Sequence, residues 1–466
     1  MEIKLHPKQS KAFKSTATEI LYGGAAGGGK SHLIRVKPCA LAMMIPKLQV
    51  YLFRRRYDDI LKNHFEGPGS FPELLSDFMP KYCRISYQNP PRIRFANGSV
   101  IHVCHCQHEK DRFNYQGAEI HVLLIDELTH FTEKIYRYIR SRCRVSDKMK
   151  IPKGIKLPLV LCGSNPGGVG HNWVKASWID NADPFEIRQM PKEEGGMLRQ
   201  YIPAKLQDNP SLNEEEYRAQ LSGLGNPYLV KAMLEGSWDI VAGGMFDDLW
   251  NPAVHVVEPF AIPKTWRIDR SFDWGSSKPY SVGWWASSDG SDIVLADGTR
   301  RSTLKGDLFR IAEYYGWNGQ PNTGTKETAV DVARKIIKME KEMQFNVRPG
   351  PADNSIYDVN NGNCIADDMA RAGVRWERSD KSPGSRKNGW ELMRQRLKAS
   401  IERCDPGLFV FSTCRNFIRT IPVLPRDEKE SDDIDTEAED HIADEARYRV
   451  LAQSKSVSSG SVIGMY

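Results

Sequence analysis

The stretch LYGGAAGGGKSHLI, residues 21–34, joins a glycine-rich turn to a lysine, a serine and the start of an apolar run. Within it, residues 24–31 fit the pattern G-x-x-x-x-G-K-[ST]. An apolar, strand-like segment precedes the pattern at 17–23, and helical spacing follows it at 30–45. The alternative is a glycine-rich turn with a chance Lys-Ser pair. The strand before the turn and the helix after it favour a phosphate-binding loop.

A phosphate loop gives each of its residues a chemical role. The loop glycines are Gly24, Gly27, Gly28 and Gly29. Because they lack side chains, they let backbone N–H groups come close to a phosphate. Lys30 is placed to reach the β- and γ-phosphates, and Ser31 is placed to hold Mg²⁺. The loop therefore predicts ATP and Mg²⁺ as cofactors of this half of the chain.

The stretch VLLIDE, residues 122–127, supplies acids of the kind that ATP hydrolysis needs. Four apolar residues predict a buried strand, and Asp126 and Glu127 follow at its end. We expect Asp126 to hold Mg²⁺ through water and Glu127 to polarise the attacking water. A strand that merely ends in acids is the alternative, and the preceding phosphate loop makes it the weaker interpretation.

Two further polar residues are candidates for the nucleotide site. Asn165 follows the predicted strand at 157–163 and is placed to sense the γ-phosphate, although Ser-Asn-Pro is also an ordinary turn signal. Gln9, in HPKQ before the first strand, is placed to recognise the adenine edge. A solvated glutamine is the alternative for Gln9.

The composition limits the classes of protein to which the chain can belong. Its 466 residues predict two domains, with three as the alternative, and 40% hydrophobic residues exclude wholesale disorder. The net charge of +6 permits nucleic-acid binding without establishing it. Nine scattered cysteines without a CxxC pair indicate reduced thiols and no zinc site. No run reaches the roughly 18 apolar residues of a membrane span, so we expect an intracellular protein without a membrane partner.

Two successive patterns divide the chain. Residues 1–203 alternate apolar strands with helices and contain a hairpin signal at Asn97-Gly98, which predicts an α/β P-loop ATPase domain (RecA/ASCE-like). Residues 204–262 predict a helical connector. Residues 263–454 begin with strands and continue with alternating helices and strands, the order of a ribonuclease-H-like nuclease domain. Residues 455–466 predict a flexible tail.

Carboxylates recur in the second half at strand ends and along the last predicted helix. They are Asp273 in FDWG, Asp353 in GPAD, and Asp440 and Asp444 in DHIADEARY. Because Asp440 and Asp444 are four residues apart, they share a helix face. Acids that converge from two strands and a helix suit two divalent metal ions, a pair that activates water in phosphodiester cleavage. A set of unrelated, solvated acids is the alternative, and Glu437 is a candidate additional ligand.

Basic residues cluster at 54–56 and along a predicted helix. The helix group is Arg386, Lys387, Arg394, Arg396 and Lys398. Because phosphate contacts need only positive charge, this group is a candidate for lying along a DNA backbone. A solvated helix face is the alternative.

The ordered series of motifs resembles the large terminase subunit of tailed bacteriophages over nearly the whole chain. The series is HPKQ, GGAAGGGKS, FRRR, ANGS, YQG before LLIDE, SNPGG, LEGSWD, FDWG, GPAD and DHIADEARY. The resemblance implies an N-terminal ATPase that drives double-stranded viral DNA into a procapsid, and a C-terminal endonuclease that cuts concatemers. It also implies a portal protein and a small terminase subunit as partners, a homo-oligomeric ring on the procapsid, and a location in the host cytoplasm.

The same resemblance carries residue roles to matching positions. It makes Gln9 the adenine-side residue and Asn165 the residue that couples hydrolysis to motion. It makes Asp126 a metal ligand and Glu127 the catalytic base. The implied nuclease ligands of two Mg²⁺ or Mn²⁺ ions are Asp273, Asp353 and Asp444, with Asp440 as an alternative or additional one.

One departure concerns the arginine that many family members carry inside the phosphate loop. Ala25 and Ala26 stand there in this chain. An arginine finger therefore has to come from Arg54, Arg55 or Arg56, or from a neighbouring subunit.

Two other functions remain as alternatives. One is a DNA helicase or repair translocase with a nuclease domain, which requires a second RecA-like domain where this chain carries carboxylates. The other is a structural DNA-binding protein without catalysis, which has no use for the hydrolytic residues of the phosphate loop and the acid pair.

Overall fold

The computed structural model describes residues 5–25, 27–88, 90–210, 213–223, 230, 234–239, 241, 243–295, 298–319, 322–359, 362–427 and 429–458. Ala26, part of the predicted connector and most of the predicted tail lie outside these residues. The chain divides into two compact units, Met1–Ala242 and Gly243–Tyr466. The finer boundaries after residues 203, 262 and 454 remain predictions.

Unit 1 contains a nine-stranded sheet within its described residues. The strands are β1 (Glu19–Gly24), β2 (Gln49–Arg54), β3 (Cys83–Ser86), β4 (Arg92–Phe95), β5 (Val100–His105), β6 (Val122–Asp126), β7 (Leu159–Ser164), β8 (Ile187–Gln189) and β9 (Leu198–Ala204). Their order is β3-β4-β5-β2-β6-β7-β1-β9-β8. Neighbours from β5 to β9 pair in parallel, and the pairs at the two edges are antiparallel. The predicted α/β fold with a largely parallel sheet is therefore confirmed.

Helices cover the two faces of this sheet. The helices of unit 1 among the described residues are α1 (Pro7–Lys14), α2 (Lys30–Met44), α3 (Tyr57–His64), α4 (Phe71–Leu74), α5 (Glu133–Arg140), α6 (His171–Val174) and α7 (Glu214–Ser222). Along β6, Leu124 packs in one apolar cluster with α2, whereas Leu123 packs in a second cluster with α5. Successive strand residues point to opposite faces, so covering both faces requires the continuous apolar run that the sequence shows.

Unit 2 contains a mixed sheet within its described residues. The strands are β10 (Val256–Val257), β11 (Arg267–Asp273), β12 (Ser281–Ser287), β13 (Ile293–Val294), β14 (Arg300–Arg301), β15 (Leu308–Tyr315), β16 (Val347–Arg348), β17 (Pro351–Ala352), β18 (Glu377–Arg378) and β19 (Leu408–Phe411). β13 and β14 form a separate two-stranded sheet, and the order of the main sheet is β10-β19-β15-β12-β11-β17-β18, with β16 also beside β11. β15, β12 and β11 are antiparallel neighbours, and β17 and β18 continue in parallel. This order confirms the predicted ribonuclease-H-like fold.

The helices of unit 2 follow the predicted alternation with strands. They are α8 (Pro252–His255), α9 (Ala329–Met343), α10 (Ile365–Arg371), α11 (Ser385–Glu402), α12 (Arg415–Thr420) and α13 (His441–Ser458). α13 packs on the sheet through buried Glu445, which accepts hydrogen bonds from Ser271 and from Arg310. None of the described helices combines the length and the hydropathy needed to cross a membrane.

The end of the unit 1 sheet and the last helix differ from the sequence-based expectations. β9 was not predicted, because LRQYIPA places Arg199 and Gln200 side by side and contains a proline; in the structure Arg199 is buried and pairs with Glu19 of β1. The last helix begins at His441, so Asp440, which was expected to share a helix face with Asp444, directly precedes the helix.

Candidate active sites

The phosphate loop lies between β1 and α2, and side chains hold three of its carbonyl groups. Asn209 Nδ2 donates to Gly27 O (2.5 Å), Tyr22 OH to Gly28 O (3.0 Å), and Gln9 Nε2 to Gly29 O (2.9 Å). In a planar trans peptide, the C=O and the following N–H point in opposite directions. Fixing these carbonyls therefore leaves the N–H groups of Gly28, Gly29 and Lys30 on the other side of the loop, available to a phosphate.

Gly29 shows why the loop needs glycine. Its φ is +76°, and a Cβ at this position would lie 2.4 Å from Gln9 Nε2. Gln9 is buried, and its Oε1 accepts a hydrogen bond from the backbone N–H of His6 at 2.8 Å. The alternative of a solvated Gln9 is therefore wrong. Its adenine-side role remains a prediction, and its observed contact is with the loop backbone.

Lys30 begins α2 and is buried against the loop. Its Nζ donates to Ala25 O at 3.1 Å and to Asn165 Oδ1. The Asn165 backbone N–H in turn donates to Glu127 Oε2 at 3.2 Å. Burial lowers the pKa of Lys30, although Glu127 and Asp126 act in the opposite direction. The structure thus brings together the predicted lysine, asparagine and acid, and Ser31 lies half-buried in the first turn of α2.

Asp126 ends β6 and is buried, with its two carboxylate oxygens in different surroundings. Oδ2 lies 3.0 Å from His64 Nε2 and 3.5 Å from an Arg54 guanidinium nitrogen. Oδ1 has no hydrogen-bond partner among the described residues. Burial raises the pKa of Asp126, but the hydrogen bond and charge of His64, followed by the charges of Arg54 and Lys30, outweigh burial and lower it. Asp126 is therefore held as an anion.

Glu127 adopts a left-handed backbone conformation, with φ 60° and ψ 66°. This conformation costs a residue with a side chain about 1–2 kcal/mol. The next segment is fixed to the end of β7, because Thr129 N donates to Ser164 Oγ at 3.1 Å and Thr129 Oγ1 donates to Asn165 O at 3.0 Å. Backbone strain at a polar strand end is typical of a functional site.

The arginines at 54–56 have different surroundings. Arg54 lies beside Asp126, and it also donates to Asp59 O at 3.4 Å. Arg55 donates to His130 O at 3.3 Å. The source of an arginine finger remains a prediction, and of the two loop alanines only Ala25 belongs to the described residues.

The carboxylates of unit 2 lie at one end of its sheet. Asp273 ends β11, Asp353 directly follows the parallel neighbour β17, Asp440 directly precedes α13, and Asp444 lies in its first turn. Burial, and then the charge of Asp444, raise the pKa of Asp440 to about 7. Burial also raises the pKa of Asp273 to about 6, and the charges of Asp444 and Asp353 add to this effect. The four acids therefore act electrostatically as one cluster.

Basic side chains hold three of these four acids. Asp444 pairs with Arg447 (2.7 Å) and Arg386 (3.3 Å), Asp353 pairs with Lys381 (2.9 Å), and Asp273 Oδ2 lies 3.2 Å from His441 Nδ1. Among the described residues, no three His, Cys, Asp or Glu side chains are gathered as a ready-made metal cage. The acids are neighbours, but their side chains are directed to these partners.

The basic helix group in α11 is engaged within unit 2. The contacts are Arg386 with Asp433, Lys387 with Glu430, Arg394 with Asp248, Arg396 with Gly306 O, and Lys398 with Glu402. These contacts favour an internal structural role over the predicted path along a DNA backbone.

The family assignment follows from the N-terminal sequence. Residues 21–251 match the family model described as terminase large subunit, T4likevirus-type, N-terminal. The chain belongs to the large terminase family. The ribonuclease-H-like sheet of unit 2 agrees with the predicted nuclease half, and it stands where a helicase would need a second RecA-like domain. Comparison with curated proteins gives no match.

Solved structures give a likeness at low identity. The large terminase of a thermophilic bacteriophage, in complex with ADP, is 16% identical over 96% of this chain and 98% of its own, with a TM-score of 0.41. The P22 large terminase nuclease domain is 16% identical over 46% and 93%, with a TM-score of 0.33. The ATPase domain of the Thermus phage P74-26 large terminase is 15% identical over 50% and 94%, with a TM-score of 0.34. At these TM-scores, the likeness adds no argument to the family assignment.

Both candidate sites of this terminase fit a divalent cation. In unit 1, Asp126 Oδ1 is a buried carboxylate oxygen without a hydrogen-bond partner among the described residues. In unit 2, burial and then the charges of neighbouring acids raise the pKa values of Asp273 and Asp440, so a cation would find several mutually repelling carboxylates at one end of the sheet. Carboxylate oxygens are the ligands that Mg²⁺ and Mn²⁺ prefer.

Several residues at these sites were missed by sequence reasoning. They are Tyr22, His64, Asn209, Lys381 and His441. Some of them lie outside the motifs that the sequence analysis identified. The others lie within a motif but at positions to which no role was given. A sequence offers no signal for such contacts, because they arise only when separate segments pack together.

Proposed function

We propose that this terminase hydrolyses ATP at the phosphate loop to drive double-stranded viral DNA into a procapsid, and cuts concatemeric DNA at the acid cluster of unit 2. The alternative helicase function is not supported. The observation that carries the proposal is the family match of residues 21–251, which contain the loop, the acid pair and Asn165 in one connected site.

In the ATPase half, the residues of this chain have complementary tasks. The N–H groups of Gly28, Gly29 and Lys30 bind phosphate oxygens, with Gly24 and Gly27 shaping the loop. The Lys30 ammonium binds the β- and γ-phosphates, and Ser31 and Asp126 would hold Mg²⁺. When bound, Mg²⁺ neutralises charge on the phosphate oxygens.

The acid next to this site provides the base. Glu127 accepts a proton from water as the water oxygen attacks the γ-phosphorus, and the bond from that phosphorus to the bridging oxygen breaks to release ADP. Its contact with the Asn165 backbone, and the contact of the Asn165 side chain with Lys30, support the predicted role of Asn165 in coupling hydrolysis to motion. Gln9 supports the loop through Gly29 and is the proposed adenine-side residue.

In the nuclease half, Asp273, Asp353 and Asp444 would hold Mg²⁺ or Mn²⁺, with Asp440 as an additional ligand. Bound metal supplies charge stabilisation and an activated water for phosphodiester cleavage. The proposed ligands now pair with Lys381, Arg386 and Arg447, so they must leave these partners to bind an ion.

The proposed partners are double-stranded DNA, a portal protein and the small terminase subunit. The proposed assembly is a homo-oligomeric ring on the procapsid in the host cytoplasm. An arginine finger comes either from Arg54 to Arg56 or from the neighbouring subunit of the ring. Arg54 is close to Asp126, which supports a role at the ATPase site without distinguishing the two sources.

The test measures two activities of the full chain. We expect ATP turnover to rise when duplex DNA is added, and plasmid DNA to be cut with Mg²⁺ or Mn²⁺ but not with EDTA. ATP turnover that ignores DNA, together with an uncut plasmid in the presence of metal, contradicts the proposal.

A further inference from the structure

His64 is a buried histidine that no motif of the sequence identified. It is the last residue of α3, is 0% exposed and lies against the buried ring of Phe71. Its Nε2 lies 3.0 Å from Asp126 Oδ2, whereas its Nδ1 has no hydrogen-bond partner among the described residues. The carboxylate of Asp126 is therefore the one hydrogen-bond partner that the described residues give this ring.

The contact makes the two oxygens of Asp126 different. His64 and Arg54 both approach Oδ2, and Oδ1 remains buried without a partner among the residues that the structure describes. A carboxylate is planar, so holding one oxygen fixes the rotation of the group and the direction of the other. An unheld carboxylate at this position would lose that direction, because its remaining neighbour, Arg54, is 3.5 Å away.

The helix that carries His64 is itself fixed to the phosphate-loop helix. Arg35 of α2 donates to Asn63 O at 2.7 Å, one residue before His64. Arg54, at the end of β2, donates to Asp59 O within α3. The cationic side chain of Arg35 at the carboxyl end of α3 also suits the helix dipole. α3 therefore links the helix that follows the phosphate loop to the acid at the end of β6.

We propose that His64 is a positioning residue, which holds Asp126 through Oδ2 so that Oδ1 faces the divalent cation that accompanies the nucleotide. The inference rests on the proposed role of Asp126 as a metal ligand. Groups that orient a metal ligand typically contribute 10–100-fold to metal affinity. His64 should therefore affect how much the metal adds to nucleotide binding, and not nucleotide binding itself.

The experiment compares His64→Gln with His64→Asn in the full chain. Both variants place an amide in the same pocket, but only the glutamine side chain is long enough to bring its N–H near Asp126 Oδ2. ADP affinity is measured with Mg²⁺ and with EDTA, so no turnover is involved. We expect the ratio of the two affinities to stay within about threefold of wild type in His64→Gln and to fall about tenfold or more in His64→Asn. Affinity in EDTA should stay the same.

The matched control is His121→Asn, because His121 directly precedes β6, the strand that ends at Asp126. His121 is buried, and its Nδ1 accepts a hydrogen bond from Gln49 N at 3.0 Å, so its loss also disturbs a buried histidine beside β6. Thermal unfolding identifies any variant that is not folded. We expect His121→Asn to keep the wild-type affinity ratio.

The possible outcomes distinguish a failure of the positioning role of His64 from a failure of the proposed metal role of Asp126. If wild type and Asp126→Ala have the same affinity ratio, the proposed metal role of Asp126 is wrong. If Asp126→Ala lowers the ratio and folded His64→Asn keeps it, the positioning role is wrong. Should His64→Asn not fold, His64→Leu, which also lacks the N–H, carries the same expectation. Should neither fold, a lowered ratio in His64→Gln overturns the inference, and an unchanged one supports it.

Discussion

The two candidate sites of this terminase both lie at strand ends, but one consists of backbone groups and the other of charged side chains. The phosphate loop is one continuous stretch of backbone, held by neutral partners such as Tyr22 and Asn209. The acid cluster of unit 2 takes Asp273, Asp353 and Asp444 from three separate segments, and basic side chains hold its members.

The difference teaches what each kind of site requires in order to form. Backbone N–H groups carry only partial charges, so they gather without a counter-ion. Full negative charges a few ångströms apart repel each other and need positive charge nearby. A cation entering the acid cluster has to compete with Lys381 for Asp353 and with Arg447 for Asp444. At the ATPase site, Asp126 Oδ1 has no such competitor among the described residues.

The largest expected effect concerns the continuous site. Lys30→Ala removes the ammonium that binds the β- and γ-phosphates, and we expect ATP turnover to fall about 1,000-fold or more. Plasmid cleavage by unit 2 should persist. The control is Lys37→Ala, because Lys37 is a buried lysine of the same helix whose Nζ binds Ala12 O instead of the loop. Similar ATP turnover in the two variants would show that the loop is not the hydrolytic site.

The reciprocal change tests the acid cluster. Asp273→Asn removes the charge of the most central acid, and we expect metal-dependent plasmid cleavage to fall about 100-fold or more while ATP turnover persists. Asp358→Asn, which neutralises an exposed acid five residues after Asp353, is the control and should leave cleavage unchanged. Cleavage that survives Asp273→Asn would place the nuclease site elsewhere.

The same contrast explains what the sequence predicted. The phosphate loop, the acid pair in VLLIDE and the hairpin at Asn97-Gly98 are local patterns, and the structure has each of them in the predicted context. The structure of such local patterns can be predicted because neighbouring residues determine the backbone conformation. The order of strands and helices in unit 2 could be predicted for the same reason.

Contacts between distant segments could not be predicted from the sequence. His64 reaches Asp126 across 62 positions of sequence, and nothing in YDDILKNH distinguishes it from a solvated helix end. The basic residues of α11 were predicted to lie along a DNA backbone. In the structure, Arg386 and Arg394 form ion pairs with carboxylates from other segments. Charge in a sequence shows where counter-charge is needed, but only the fold shows which group supplies it.

A third prediction concerns stability at the end of the unit 1 sheet opposite the phosphate loop. Buried Glu19 of β1 pairs with Arg199 and Arg140 at 2.8 Å each. Glu19→Gln leaves these guanidinium groups without their counter-charge, and we expect unit 1 to lose about 3–5 kcal/mol of unfolding free energy. The measurement is thermal inactivation of ATP turnover, which should shift, and of plasmid cleavage, which should not.

The same variant has a pH dependence of known sign. Burial raises the pKa of Glu19, but Arg199 and then Arg140 outweigh burial and lower it below its ordinary value. The Glu19 carboxylate therefore stabilises the fold above a pH of about 4.3, and this contribution is lost as pH falls through the lower folded pKa. The difference in unfolding free energy between wild type and Glu19→Gln should shrink on acidification. A difference that is constant from about pH 7 to pH 3 would show that the ion pair is not its source.

The smallest expected effect tests the backbone signals themselves. Gly98 turns the hairpin between β4 and β5 with φ +84°, and an added Cβ would meet nothing closer than Lys47 Cγ at 3.4 Å. Gly98→Ala therefore has space but an unfavourable conformation, and we expect unit 1 to lose about 1 kcal/mol with ATP turnover unchanged. Gly223→Ala is the control, because Gly223 has an ordinary helical φ of −64° at the end of α7. Chemical denaturation should separate the two variants, and equal stability would mean that the left-handed turn is not what this position requires.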